Sequence, residues 1–557
     1  MAWPPGGLLI SNLPGHEFTG DIISDGVGGA YVAYIEQAGP EDSLNLYLQR
    51  VTGRGEIAWP DPDGFPLCTA TGRQFLVRLA RGDSADVFAT WYDERGPSPD
   101  IYAQRVRGYG TIHPGWAMDG RPVCTAPGKQ ISPVIAPDGH QGAYIAWEDA
   151  RLGFDNTRVY IQRMNGLGTT EAGWPADGVR VSNANGFEVE PWISPCADGG
   201  AYVTWVRREA DWATANVVAT LVTPSGSIAP GWPDSGLVLC AAPGRQDMPT
   251  TVEDGQGGLY AVWRDYRDDP SGETRSDIYA QRVARGGTFP TGWGGDGLAV
   301  RSDTTDQWIP RIASDGQGGM LVSWLTAPEA FVQRITPSGA VAPGWAAAGV
   351  SVGTITAGGQ GPALTGDGMG GAIVAWSDYR GPSVADVYAQ RITADGLVAP
   401  HWPSTGVQVS NGIADELVGG NDARTSTIVP DGEAGALVAW IDGWEVALQR
   451  ITGAGVAKPS DCCSKSTNAL ASVSPNPGRG SFRATARVPS GTSSAVVEVY
   501  DVFGRKRRAT SYDGLQPGGT AQLDVDLSGL PVGIYYLRYS AGPGSTLLGS
   551  RAVVIVR

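Results

Sequence analysis

The chain has 557 residues, with 41 Lys and Arg against 57 Asp and Glu and a net charge of −16. That length is too great for one ordinary core and implies several domains or an array, while the acidity argues against a nucleic-acid partner. Its 80 Gly and 40 Pro recur at fixed places rather than in low-complexity tracts, as in turn-rich all-β proteins, and no run of about 18 apolar residues is present to cross a membrane as a helix.

The opening Met1-Ala2-Trp3-Pro4-Pro5 has neither the basic nor the apolar region of a signal peptide. Repetition follows at once. The phrase Tyr-x-Gln-Arg-Val/Ile, or a close relative, stands at Gln49-Arg50, Gln104-Arg105, Gln162-Arg163, Gln281-Arg282, Gln333-Arg334, Gln390-Arg391 and Gln449-Arg450, and Thr220-Leu221 is a degenerate copy in the one long gap. Arg50 to Arg450 is seven steps, a period of about 57, and a fixed period announces a repeat architecture.

One unit runs Gly120-Arg-Pro-Val-Cys124, then Pro133-Val-Ile-Ala136, a tight Asp138-Gly139 turn, Ala143-Tyr-Ile-Ala-Trp147, and Val159-Tyr-Ile-Gln-Arg163. Four short β-rich segments per unit, each closed by a Gly turn, predict a propeller blade. The turn recurs as Asp25-Gly26, Asp198-Gly199, Asp254-Gly255, Asp315-Gly316, Asp367-Gly368 and Asp431-Gly432. After the eighth Gln-Arg the chain never supplies the Gly-Trp strand. Ala2-Trp3 through Ser11 reads like Gly173-Trp174 through Ser182 and supplies it from the other end. The prediction is an all-β, eight-bladed β-propeller over 1–457, its last blade closed three-plus-one by the N-terminus, which removes an open sheet edge. Seven blades with one unit absorbed elsewhere is the alternative.

The cysteines do not read as a disulfide framework. Cys68, Cys124 and Cys240 hold one place in different units, too far apart to bond to each other, and Ser11, Ser182 and Ser410 fill the same slot elsewhere. Cys462-Cys463 lie in a polar linker, 458–469, where a metal or redox role is conceivable.

Beyond the linker the pattern changes and the charge turns basic: 470–557 holds ten Lys and Arg against five Asp and Glu, leaving −21 on the rest. Short strands are spaced as in a small immunoglobulin-like β-sandwich. The motifs Ser474-Pro-Asn-Pro-Gly-Arg-Gly-Ser-Phe482, Val499-Tyr500-Asp501-Val-Phe-Gly504-Arg505 and Leu527-Ser-Gly-Leu-Pro531-Val-Gly533-Ile-Tyr535, with the basic last strand, resemble the C-terminal sorting domain of type IX secretion cargo. They are also similar to the immunoglobulin-like module of flagellar hook-capping proteins. The resemblance covers about 90 residues. It implies passage of a folded protein across a bacterial outer membrane, contact with the secretion machinery, and loss or surface anchoring of the tail. Such cargo needs an inner-membrane export signal, so the chain is expected to be a leaderless or mature form.

A residue repeated in every blade reads as structural, and function is sought in what departs from the repeat. The Trp-x-Asp-x-Arg triplets at Trp91, Trp147, Trp263 and Trp376 read as Asp–Arg pairs. Of 19 Trp, four fall outside the repeat: Trp192, Trp212, Trp308 and Trp444. Exposed aromatic faces suit sugar rings or cations. A second set, Glu17, Gln74, Gln130, Glu188, Gln246, Gln307 and Gln360, precedes the turns by about eight residues, at the start of the innermost strand. It is a candidate ligand-binding ring at one channel mouth, and the competing reading is that these side chains bond backbone and hold blades together. The loop 264–277, with Asp265, Asp268, Asp269, Glu273 and Asp277, is a weak candidate for calcium; no other cofactor is expected. Four His without metal spacing, no nucleophile elbow and no phosphate loop give catalysis a poor case. Arg81-Gly82-Asp83 reads as a coincidence of the turn. The resulting expectation is a secreted or cell-surface protein that binds a glycan or another extracellular partner. The alternatives are a glycoside hydrolase or polysaccharide lyase with carboxylates at the channel mouth, and a purely structural surface component.

Overall fold

The computed structural model describes residues 3–455 and 470–555, apart from 5, 12, 14, 38–43, 60, 83–84, 209–213, 270–273, 356–359, 381–383, 411–415, 419–425, 444, 475–480, 489–491, 502–505, 532 and 542–545. Up to residue 455 the chain forms eight antiparallel sheets, each a blade. In blade three, Gln130–Pro137, Ala143–Asp149, Arg158–Met164 and Val179–Arg180 pair in chain order, from the channel outward. Inner strands of successive blades touch around the whole ring, and His16–Ser24 of blade one meets Ile428–Pro430 of blade eight.

Closure follows the sequence expectation. Leu8–Leu9 adds to the edge of Glu445–Ile451, with Leu8 opposite Leu448 and Leu9 opposite Ala447. The Gln449 side chain donates to the Pro4 carbonyl at 3.0 Å, and Ile10 N–H to Val446 O at 3.0 Å.

Apolar side chains fill the seams rather than one centre, with one cluster at each of the eight seams among the described residues. The second strand of each blade is covered on both faces. It therefore reads as a near-continuous apolar run such as Ala143-Tyr-Ile-Ala-Trp147. Its terminal Trp lies so close to the turn before the outer strand that a Cβ on Gly178 would sit 2.6 Å from Trp147. Only glycine fits there.

The repeated Gln-Arg is a set of rivets. Arg163 Nε donates to Asp138 Oδ2 at 2.9 Å, and Arg163 Nη1 to Pro224 O of blade four at 3.1 Å. Asp138 Oδ1 meanwhile accepts from His140 N–H and Gly142 N–H, holding its own turn. Trp174 Nε1 reaches the same Pro224 carbonyl. At the closing seam Arg450 Nη1 and Trp3 Nε1 both donate to Gly53 O. Each rivet joins a turn, a strand and the next blade, which makes the motif structural.

The C-terminal region forms a three-stranded and a four-stranded sheet. They share a core that includes Phe482, Ala484, Leu523 and Val525 from one sheet and Ala495, Val497, Val499, Leu537 and Tyr539 from the other. This is the small β-sandwich expected. No helix among the described residues is long and apolar enough to cross a membrane.

Candidate functional site

The predicted Gln/Glu ring does not face the channel. Glu17, Gln74, Gln130, Glu188, Gln246 and Gln307 are buried, and Gln360 is half-buried. Gln307 donates to Asp303 and Thr305 in the loop before it, and Glu17, Glu188, Gln74, Gln130 and Gln246 are spent on the seams, in two chemistries. Where the outer strand of the preceding blade ends in Ser, the residue is Glu: Ser11 Oγ donates to Glu17, Ser182 Oγ to Glu188, and Ser410 Oγ to Glu416. The other Glu17 oxygen accepts Val446 N–H across the closing seam at 3.0 Å. Burial pushes the Glu17 carboxyl up to about 8, against those two hydrogen bonds. Where the slot holds Cys, the residue is Gln, and the Gln74, Gln130 and Gln246 amides donate to loop carbonyls. The Cys then packs with the triplet of the next blade. Arg95 Nη2 lies 3.0 Å from Cys68 Sγ and 2.6 Å from Asp93, and Trp91 Nε1 donates to Asp93 at 2.8 Å. Cys68, Cys124, Cys196 and Cys240 are free and buried.

Of the four unassigned Trp, Trp192 is half-buried and donates to Thr251 O of the next blade at 3.2 Å. Trp308 is 37% exposed at the start of its inner strand. Trp212 and Trp444 lie outside the described residues, as do Glu273, Cys462 and Cys463. In the acidic loop of blade five, Asp265 pairs with Arg267, and Asp269 accepts from the Thr274 and Arg275 N–H groups. No group of three or more His, Cys, Asp and Glu able to hold a metal ion occurs among the described residues.

The concavity lies at the other end of the channel, where the one-to-two turns gather. A cavity of about 570 Å3 is lined by Arg81 and Gly82 of blade two, Pro137, Gly139 and His140 of blade three, Pro195, Cys196, Ala197 and Gly199 of blade four, and Glu253 of blade five. It borders the one blade whose rivet is missing. Cys196 N–H bonds Gly200 O just as Asp138 N–H bonds Gly142 O, so Cys196, not Asp198, takes the place of the turn aspartate. Leu221 replaces the arginine and packs with Cys196 and Tyr202. Both partners of the ion pair are lost together, which leaves no orphaned buried charge. Arg285 from blade five enters instead, beside the Cys196 thiol and in an ion pair with Asp198.

Electrostatics differ across the cavity. Arg81 is exposed on the blade-two side. On the blade-five side, burial holds the Glu253 carboxyl above the usual carboxylate range, with an accepted Ala197 N–H opposing and the Asp254 charge adding. Burial also raises the Cys196 thiol, which makes it a poor nucleophile. The sequence carried the signal for this place: blade four is where Gln-Arg becomes Thr220-Leu221 and the turn aspartate becomes Cys196.

No family model matches the sequence, and no curated protein matches it. Similar solved structures include an endo-arabinase from Bacteroides thetaiotaomicron, at 10% identity and TM-score 0.29, over 50% of this chain and 98% of that one. Another is a Penicillium chrysogenum alpha-L-arabinanase, at 13% identity and TM-score 0.33, over 69% of this chain and 94% of that one. A third is prolyl oligopeptidase B from Galerina marginata, at 11% identity and TM-score 0.40, over 69% of this chain and 50% of that one. Carbohydrate-active enzymes thus stand among the neighbours at low identity.

Proposed function

We propose that the protein is an extracellular recognition protein. Its propeller takes a glycan at the turn-end cavity, and its C-terminal sandwich directs export and surface attachment. One observation carries the binding reading: the cavity borders the single blade in which the Asp–Arg rivet is replaced by Cys196 and Leu221. A concave site fed by turns from four blades, with a few polar groups among apolar walls, has the form of a small-ligand site.

Glycoside hydrolysis is the second reading, and Glu253 favours it. A carboxyl raised by burial is what a general acid needs. A glycosidase also needs a second carboxylate roughly 5–9 Å away, and Glu253 is the sole carboxylate among the described residues that line the cavity. Binding therefore ranks first.

The test is a glycan-array screen of the full chain, followed by a reducing-end assay on every glycan retained. Retention without new reducing ends is expected. Release of reducing ends that stops in Glu253→Gln would replace binding by hydrolysis, and silence on the array would leave a structural surface component. The export proposal is checked by expression behind an export leader in a bacterium with a type IX system. The full chain should reach the cell surface, and a chain ending at residue 457 should stay in the periplasm. Equal surface display of both would sink it.

A further inference from the structure

We infer that the turn-end cavity selects acidic glycans, and that the carboxylate of a uronic-acid residue is taken at its blade-two side by Arg81, while His140 on the blade-three side accepts from a sugar hydroxyl. The inference rests on the reading of the cavity as a glycan site and specifies its ligand.

Arg81 is the anchor. It ends the inner strand Gln74–Arg81, a position filled in other blades by Ser24, Pro137, Pro195, Glu253, Ser314, Gly366 and Pro430. It is the one cation of that set. The other repeat arginines are committed: Arg50, Arg105, Arg163 and Arg282 to turn aspartates, and Arg95 and Arg151 to triplet aspartates. The Arg81 side chain has no hydrogen bond or ion pair with any described residue, its backbone being paired with Val87 in the blade. Its guanidinium lies against the blade-one turn, where a Cβ on Gly26 would come within 2.1 Å of it. A planar fork of N–H donors at a cavity rim matches a carboxylate in two-pronged geometry.

His140 is oriented for a hydroxyl of the same glycan. Its backbone N–H donates to Asp138 Oδ1 at 2.7 Å, and its Nδ1 lies 3.0 Å from Asp138 O. A carbonyl only accepts, so Nδ1 carries the proton, and Nε2 is left to accept from a sugar hydroxyl. Pro137 and Pro195 supply apolar wall between this side and Glu253. Glu253 in its neutral form donates to a hydroxyl; in its ionised form it repels a second carboxylate. The site thus has a direction, with the acidic sugar toward Arg81 and a neutral sugar toward Glu253. The −16 charge of the chain disfavours a polyanion at long range, which further favours a glycan with isolated uronic-acid residues.

The experiment is titration calorimetry of the full chain with four probes: a trisaccharide carrying one glucuronate, its methyl ester, a neutral trisaccharide and triglutamate. The acid should bind at least about tenfold more tightly than its ester, the order of one charge-assisted hydrogen-bond pair. Arg81→Gln, at an exposed site, should erase that preference without moving the melting temperature. Equal binding of acid and ester, or an acid preference that survives Arg81→Gln, would overturn the selectivity and leave a glycan site. Triglutamate binding as tightly as the acid would make the ligand an acidic peptide. No heat from any saccharide, together with a silent array, would remove the glycan reading itself.

Discussion

Arg163 shows what a repeated residue does in this ring. Its guanidinium joins Asp138 in its own turn to Pro224 in the next blade, with side chains 11% and 1% exposed. Removing one member of such a pair leaves the other buried and unpaired, at a cost of about 3 kcal/mol. Arg163→Leu should lower the melting temperature of the propeller. Asp138→Cys with Arg163→Leu, which copies blade four, should recover much of the loss. A double variant as damaged as the sum of the two singles would show that the apolar replacement is not what blade four tolerates. Glu17 acts at the same scale through protons. Its carboxyl titrates near 8 in the folded chain against 4.5 as its ordinary value, because burial disfavours the charged form. A raised carboxyl contributes stability that is complete below about pH 4.5 and is lost as pH climbs to about 8. Glu17→Gln accepts from Val446 N–H through its single amide oxygen, turns the Ser11 bond round so that its NH2 donates to Ser11 Oγ, and carries no charge. The variant should therefore gain on the wild type between pH 5 and pH 8, by up to about 1.4 kcal/mol per pH unit. Parallel denaturation curves at the two pH values would contradict this.

At the scale of elements, the closing strand is two residues long, Leu8–Leu9, yet it covers the edge of Glu445–Ile451. Deleting residues 1–12 should expose that edge and also remove Ser11, the donor to Glu17, producing aggregation or a melting temperature lowered by several degrees. A truncated chain that melts like the full one would contradict the closure. Blade number and closure were legible in the sequence because repetition reports topology directly: the eighth unit lacks a strand and the first residues supply one. The inner-strand Gln and Glu were legible in position but not in direction. Five of the seven are followed two residues later by a bulge, with Leu76, Ser132, Glu190, Met248 and Ile309 at positive φ, and nothing in the sequence fixes which way a side chain turns before a bulge. A stronger signal was present. Ser11 and Glu17, Ser182 and Glu188, and Ser410 and Glu416 are each six residues apart, and so are Cys68 and Gln74, Cys124 and Gln130, and Cys240 and Gln246. Two residue types that change together at a fixed spacing mark a contact, and that pairing assigns the ring to the seams.

For the whole molecule, eight near-equivalent seams make a rigid annulus, and one altered seam gives it an asymmetric end. The cavity was only half legible. The failure of the repeat at Thr220-Leu221 marked the blade, but the lining residues come from four blades and are brought together by ring curvature, which no local pattern encodes. On the proposed reading, the missing rivet makes the site. Cys196→Asp with Leu221→Arg rebuilds the repeated pair beside the cavity wall, where Arg285 now stands. The decisive measurement is the affinity of this double variant for the acidic trisaccharide, taken beside its melting temperature. Binding should weaken at least about tenfold with the melting temperature unchanged or raised. Undiminished affinity in a variant that folds and melts like the wild type would contradict it.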